Sequence, residues 1–262
     1  MSQDDRGTSF EYSEAPGTTP VVFVHGVGLD QSIWRSMLAD FNGRSTLTYD
    51  LLGHGETSQP LGEQSFQPFV AQLRGLVQEL RISRMVLVGF SLGGQVAKHF
   101  ASSHPEMVEA LALISTTYQR TTAERDAMSR RVQQAKAGGQ QGLQSLALQR
   151  WFNPEFLAAN PDVESEITAR LRNNDPPKFL ESYELLSNAE DHPVECGSLS
   201  IPTLVLTGEG DSGSTPRMAV EMAQAMPNAQ AKIIQGTKHL GIIEEHRQFS
   251  DAVLRFLAAS EL

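Results

Sequence analysis

Ser91, Asp211 and His239 are the residues of this chain whose types and settings could do chemistry together. Ser91 lies in Gly89-Phe90-Ser91-Leu92-Gly93, a G-x-S-x-G pattern between the apolar run Met85-Val86-Leu87-Val88 and the helix formers Gln95 to Ala101. A buried strand must become a helix there within about three residues, which strains the serine backbone and projects its Oγ from the end of the strand. The new helix aims its unpaired N–H groups and positive end at any negative charge that develops beside it. A serine hydroxyl is a poor nucleophile near neutral pH and needs an adjacent base. That base needs an acid to hold its tautomer and stabilise its cation. The chain order Ser91, Asp211, His239 is the one expected when the serine sits on such an elbow.

These residues need a scaffold, and the rest of the chain supplies one. Val21-Val22-Phe23-Val24 is a continuous apolar run, as in a strand buried on both faces. It ends in His25-Gly26-Val27-Gly28, where two glycines allow a sharp turn and leave the Val27 N–H free to face a cleft. A helix is expected over Asp30 to Phe41, a strand over Thr46 to Tyr49 and a helix over Phe66 to Leu80, which repeats apolar residues at helical spacing. Ala110 to Ile114 is a further strand. This alternation implies a parallel sheet with right-handed crossovers. Residues 1 to 20 hold one weak strand near Ser9 to Tyr12, so the leading edge is expected to be short.

From Tyr118 to Cys196 the text turns helical and polar-faced, broken by Gly138-Gly139, Asn153-Pro154, Asn160-Pro161 and Pro176-Pro177. Such an insertion reads as a lid over the carboxyl end of the sheet. The division expected is a core of residues 1–117 and 197–262 with a lid of residues 118–196. Strands resume at Thr203 to Thr207 and at Ala231 to Ile234, and amphipathic Glu245 to Ala259 closes the chain. In a parallel sheet the working loops lie at the carboxyl ends of the strands. Four such ends carry candidates: the turn after Val24, Ser91, the acidic loop after Leu206, and His239.

The 262 residues suit one large α/β domain with an insertion. A net charge of −10 disfavours nucleic acid and anionic membrane surfaces as partners. No run of about 20 apolar residues is present, and the polar, acidic N-terminus lacks a signal-peptide pattern, so a cytoplasmic protein is expected. The single cysteine, Cys196, suits a reducing compartment and has no strand-turn-helix setting of its own. Seven scattered histidines form no metal motif, and there is no phosphate-binding glycine loop, so no metal or organic cofactor is implied. The partner expected is a small-molecule substrate, with the protein a monomer or homodimer.

Five motifs in order carry a family resemblance: His25-Gly26 after a strand, Asp50-x-x-Gly53-His54-Gly55-x-x-Ser58, the elbow, Gly208-x-x-Asp211 with Thr215-Pro216, and Gly236-x-x-His239. Together they resemble the α/β-hydrolase fold over nearly the whole chain. The resemblance implies a mostly parallel, doubly wound sheet with the helical lid inserted before the last two strands. It implies Ser91 as nucleophile, His239 as general base and then acid, Asp211 as the orienting acid, and the N–H groups of Val27 and Leu92 as the oxyanion hole. His25 and His54 become structural loop residues, while His99, His104, His192 and His246 carry no chemistry. Glu209 is a rival acid that sits close to the strand. Glu244 and Glu245 are expected to begin a solvated helix face, and Asp50 to support its turn.

An aspartate at position 91 would have indicated a dehalogenase or epoxide hydrolase; serine leaves esterases, lactonases, C–C bond hydrolases and perhydrolases. The chain looks most similar to the 3-oxoadipate enol-lactonase and ring-cleavage hydrolase group. Arg150-Trp151-Phe152 before Asn153-Pro154 is similar to a segment whose arginine and tryptophan face the substrate there. Arg150, Trp151 and Gly26 are therefore the substrate-binding candidates, with Arg150 available to pair a carboxylate. Gln140-Gln141 and Asn173-Asn174 depart from that group. The function implied is hydrolysis of a small carboxylated ester or enol-lactone through an acyl-enzyme. The rivals are a C–C hydrolase of ring-cleavage products and a non-catalytic binding protein of the same fold, a class that usually lacks one of the three residues.

Overall fold

The structure, a computed structural model, describes residues 2–262, the side chains of residues 138–145 excepted. Gly138-Gly139 and Gln140-Gln141 thus lie outside the described residues. Eight strands form one sheet in the order β1-β2-β4-β3-β5-β6-β7-β8. They are β1 (Ser2–Gln3), β2 (Ser9–Ser13), β3 (Val21–Val24), β4 (Thr46–Tyr49), β5 (Met85–Phe90), β6 (Val108–Ile114), β7 (Thr203–Gly208) and β8 (Ala229–Ile234). β3 through β8 run parallel, while β1 and β2 pair antiparallel at the β4 edge; the single strand expected near Ser9 to Tyr12 is β2, and the two-residue β1 that completes the hairpin was too short to leave a pattern in the sequence.

Alternate side chains of each central strand go to opposite layers, because the side-chain period of a strand is two. Val22, Val24 and Leu87 pack with α2 (Gln67–Glu79), α3 (Leu92–Ser103) and α8 (Pro216–Gln224). Val21, Phe23 and Val88 pack on the other face with Ile242 of α9 (Gly241–Glu244), with α10 (His246–Ala259) and with Met37 of α1 (Arg35–Leu38). Burial on both faces explains why β3, β5 and residues 110–114 of β6 read as apolar runs. The edge strand β8 exposes the middle of its length, consistent with its mixed sequence.

The single helix expected over Asp30 to Phe41 is instead a 3-10 turn at Gln31–Trp34, one α turn at Arg35–Leu38 and a second 3-10 turn at Ala39–Phe41. Ile33, Trp34, Met37 and Phe41 still reach the core, so the apolar spacing located the buried side but not the winding. Between β6 and β7 stand α4 (Thr122–Trp151), α5 (Pro154–Ala159), α6 (Pro161–Asn173) and α7 (Pro176–Ser187). A complete capping box, in which Thr121 and Glu124 satisfy each other's backbone N–H groups, starts α4. Among the described residues no helix is long and apolar enough to cross a membrane.

Candidate active site

Ser91 sits one residue beyond β5, at φ 54° and ψ −112°, a left-handed backbone conformation that costs an ordinary residue free energy. The elbow tolerates no bulk beside it. A Cβ on Gly93 would stand 2.1 Å from the Val24 carbonyl oxygen, and one on Gly89 2.4 Å from that of Gly93. Leu92 opens α3, and its N–H has no acceptor among the described residues, as expected of a first-turn donor. The Val27 N–H is equally unpaired among them. Gly26 lies against the elbow rather than along the cavity: a Cβ there would be 2.8 Å from the Phe90 ring and 3.2 Å from the Ser91 Cβ. Its absent side chain lets the β3 turn approach the serine.

His25 and His54 hold the loops that flank this turn. The His25 ring bridges the Gly26 carbonyl at 2.8 Å and the Leu51 N–H at 3.0 Å, so Nδ1 carries the proton and Nε2 accepts. Asp50 accepts from the N–H groups of Gln31 and Glu56, supporting its turn. Burial drives the His25 pKa from 6.5 down to about 4 and, with the adjacent His25 ring, that of His54 to about 3. Between those values and 6.5 the unfolded chain binds protons that the native state refuses, so stability must fall as pH falls through that window. From pH 7 to pH 5 the expected loss is about 2 kcal/mol for each of the two rings. Urea midpoints measured at both pH values check this; equal midpoints would contradict neutral buried rings.

At the far side of the cleft, His239 Nδ1 lies 2.7 Å from Asp211 Oδ2. Asp211 is 2 % exposed, and its other oxygen accepts from the N–H groups of Gly213 at 2.8 Å and Ser214 at 2.9 Å. Thr207 Oγ1 stands 3.3 Å from Oδ2. Burial alone would raise the carboxyl pKa, but the His239 charge and these hydrogen bonds outweigh it and hold Asp211 below its usual range. With Nδ1–H committed to Asp211, Nε2 is the nitrogen left to accept a proton, and it has no protein partner among the described residues. The imidazole packs between Phe90 and Trp151, at ring-centroid distances of 5.0 and 6.3 Å. Ser115 Oγ donates to the His239 carbonyl.

One cavity is lined by Ser91, His239 and Val27, and by Arg150 and Trp151 from the insertion. Its remaining walls are mainly apolar, including Leu29, Phe90, Met128, Leu171 and Phe179. Arg150 is half-buried; it donates from Nε to the Leu146 carbonyl and also meets Tyr183. Trp151 has a second task unforeseen in the sequence: its carbonyl accepts the Leu240 N–H, pinning the histidine loop. Arg120, Arg131 and Tyr183 also line the cavity, and motif reasoning passed over all three. The available signal for Arg131 was its place on the shoulder of the Met128, Val132, Ala135 stripe of α4.

Glu209 is exposed and accepts the Gly236 N–H, so it stands away from the imidazole. Cys196 is buried, and burial raises its thiol pKa. Glu244 departs from the solvated face expected of it. Its carboxylate accepts from the Asn153 N–H and Nδ2 and from the Lys238 N–H, tying the end of α4 to the histidine loop. Asn174 likewise donates to the Gly28 carbonyl at 2.9 Å.

A serine on a strand-to-helix elbow, an imidazole backed by a buried carboxylate and a parallel sheet that gathers them at one end are the defining parts of one large enzyme class. Residues 19–246 match the family model of the alpha/beta hydrolase fold, and the chain belongs to that family. Among its relatives, (E)-2-((N-methylformamido)methylene)succinate hydrolase of Acinetobacter baylyi is 26% identical, with 87% of this chain and 86% of that protein covered. 3-Oxoadipate enol-lactonase 2 of the same organism is 24% identical over 89% of this chain and 86% of its own. The solved enol-lactonase of Burkholderia xenovorans superposes with a TM-score of 0.85 at 25% identity, covering 96% of each chain.

Proposed function

We propose that this protein is a serine hydrolase of small carboxylated esters or enol-lactones, working through an acyl-enzyme. The observation that carries this is the His239–Asp211 contact of 2.7 Å at a cavity that Ser91 also lines. His239 Nε2 takes the Ser91 proton as Oγ attacks the substrate carbonyl carbon. The oxyanion that forms is held by the N–H groups of Val27 and Leu92, a kind of donor worth about 3 to 4 kcal/mol each in the transition state. Asp211 stays ionised and stabilises the imidazolium. The imidazolium returns its proton to the departing enolate or alkoxide, and a water deprotonated by His239 then releases the acid and restores Ser91. The insertion acts as a lid, and Arg150 pairs the substrate carboxylate. Names of the relatives support this class, since an enol-lactonase and a hydrolase of a succinate derivative are among them.

The test is labelling by a fluorophosphonate, together with a panel of enol-lactones, simple esters and ring-cleavage dienone acids. Labelling at Ser91 and turnover of carboxylated lactones or esters are expected. Turnover of the dienone acid alone would replace this reading with C–C bond hydrolysis, and an unlabelled, inactive protein would leave a binding protein of this fold.

A further inference from the structure

We infer that the cavity is built for a substrate with two anionic groups, the second held by Arg131. This deepens the hydrolase proposal above and rests on it. Three guanidinium groups, those of Arg120, Arg131 and Arg150, line a mainly apolar cavity, and no Asp or Glu is among its described lining residues. Asp211 stands behind the imidazole, its oxygens taken. Arg120 is also committed: it donates to the carbonyls of Leu186 and Ser187 and pairs with Glu190 at 3.5 Å.

Neither of the other two guanidiniums forms an ion pair with a carboxylate among the described residues, although Asp211 acts on Arg150 through space. The hydrogen-bond partners of Arg150 among the described residues are a backbone carbonyl and Tyr183. Arg131 contacts the Met128 sulfur at 3.3 Å, a weak acceptor, and its Nε is enclosed with no hydrogen-bond partner. The ion pair that joins α4 to α7, Lys136 with Glu184, is already closed. Burial lowers the pKa of Arg150, Tyr183 and Asp211 act to raise it, and the charge of Arg131 lowers it, so the two cations that line the cavity repel each other.

A guanidinium whose Nε is enclosed without an acceptor is costly, and a second cation beside it adds repulsion. One carboxylate would occupy one fork and leave the other unpaired. A dianion would satisfy both, each by bidentate charge-assisted hydrogen bonds, and relieve their mutual repulsion. A ligand lacking the second anion would be rejected because it leaves a buried donor without an acceptor.

The experiment is calorimetric titration of the wild-type protein with malonate, succinate, glutarate, adipate and butyrate, repeated on Arg131→Gln and Arg131→Met. At least one dicarboxylate is expected to bind the wild type roughly tenfold or more tightly than butyrate, and that margin is expected to vanish in either variant that folds. Thermal unfolding identifies a variant that does not fold. No margin in the wild type, or a margin that survives in the variants, would overturn the assignment. Fluorophosphonate labelling of Ser91 reads the hydrolase chemistry separately. Labelling without the margin removes the second anion alone, and a margin without labelling removes the hydrolase and leaves an anion-binding cavity.

Discussion

Ser91→Ala is expected to lower kcat on the best panel substrate by about 10⁴- to 10⁶-fold and to abolish fluorophosphonate labelling. The thermal midpoint is expected to stay within a few degrees of wild type. Ser91 Oγ makes no hydrogen bond among the described residues, so its loss orphans no buried partner, and alanine keeps the Cβ that the elbow already accommodates. Stability and activity thus separate at this position. A variant that retained a tenth of wild-type turnover would show that the acyl chemistry proceeds elsewhere.

Asp211→Asn is expected to cost roughly 10³- to 10⁴-fold in kcat with little change in KM, by inverting the imidazole tautomer. The N–H groups of Gly213 and Ser214 both donate to Oδ1, so the amide oxygen of an asparagine settles there. Its NH₂ then faces His239 Nδ1, which must become an acceptor, and the ring proton moves to Nε2. Protonated at Nε2, the ring cannot take the serine proton. Stopped-flow measurement of the acyl-enzyme burst checks this, since acylation itself is expected to slow. An undiminished burst would place the role of Asp211 outside proton transfer.

How legible each of these parts was in the sequence follows from how local its cause is. β3, β5 and β6 were readable because burial on both faces leaves no alternative to apolar residues along a short run. The elbow was readable because backbone contacts as close as that of Gly93 with Val24 admit only glycine, which writes the geometry into the text. The winding over Gln31 to Phe41 was not, since apolar residues three and four apart fit an α-helix and a series of 3-10 turns alike. Glu244 and Arg131 were hidden for another reason. Each acts through residues far along the chain, Asn153 for the first and the shared cavity for the second, and no periodicity reports a meeting of that kind. The same holds for Trp151, whose carbonyl tie to Leu240 is a backbone matter with no side-chain signature.

The insertion is fastened to the loops that carry the proposed oxyanion donor and the proposed base. Asn174 grips Gly28 next to Val27, and Glu244 joins Asn153 to the backbone before His239. On the proposed mechanism, helices anchored in this way bear directly on the groups beneath them. Displacing them breaks the ties to the Val27 turn and the His239 loop, so shelter and reactivity are expected to fall together.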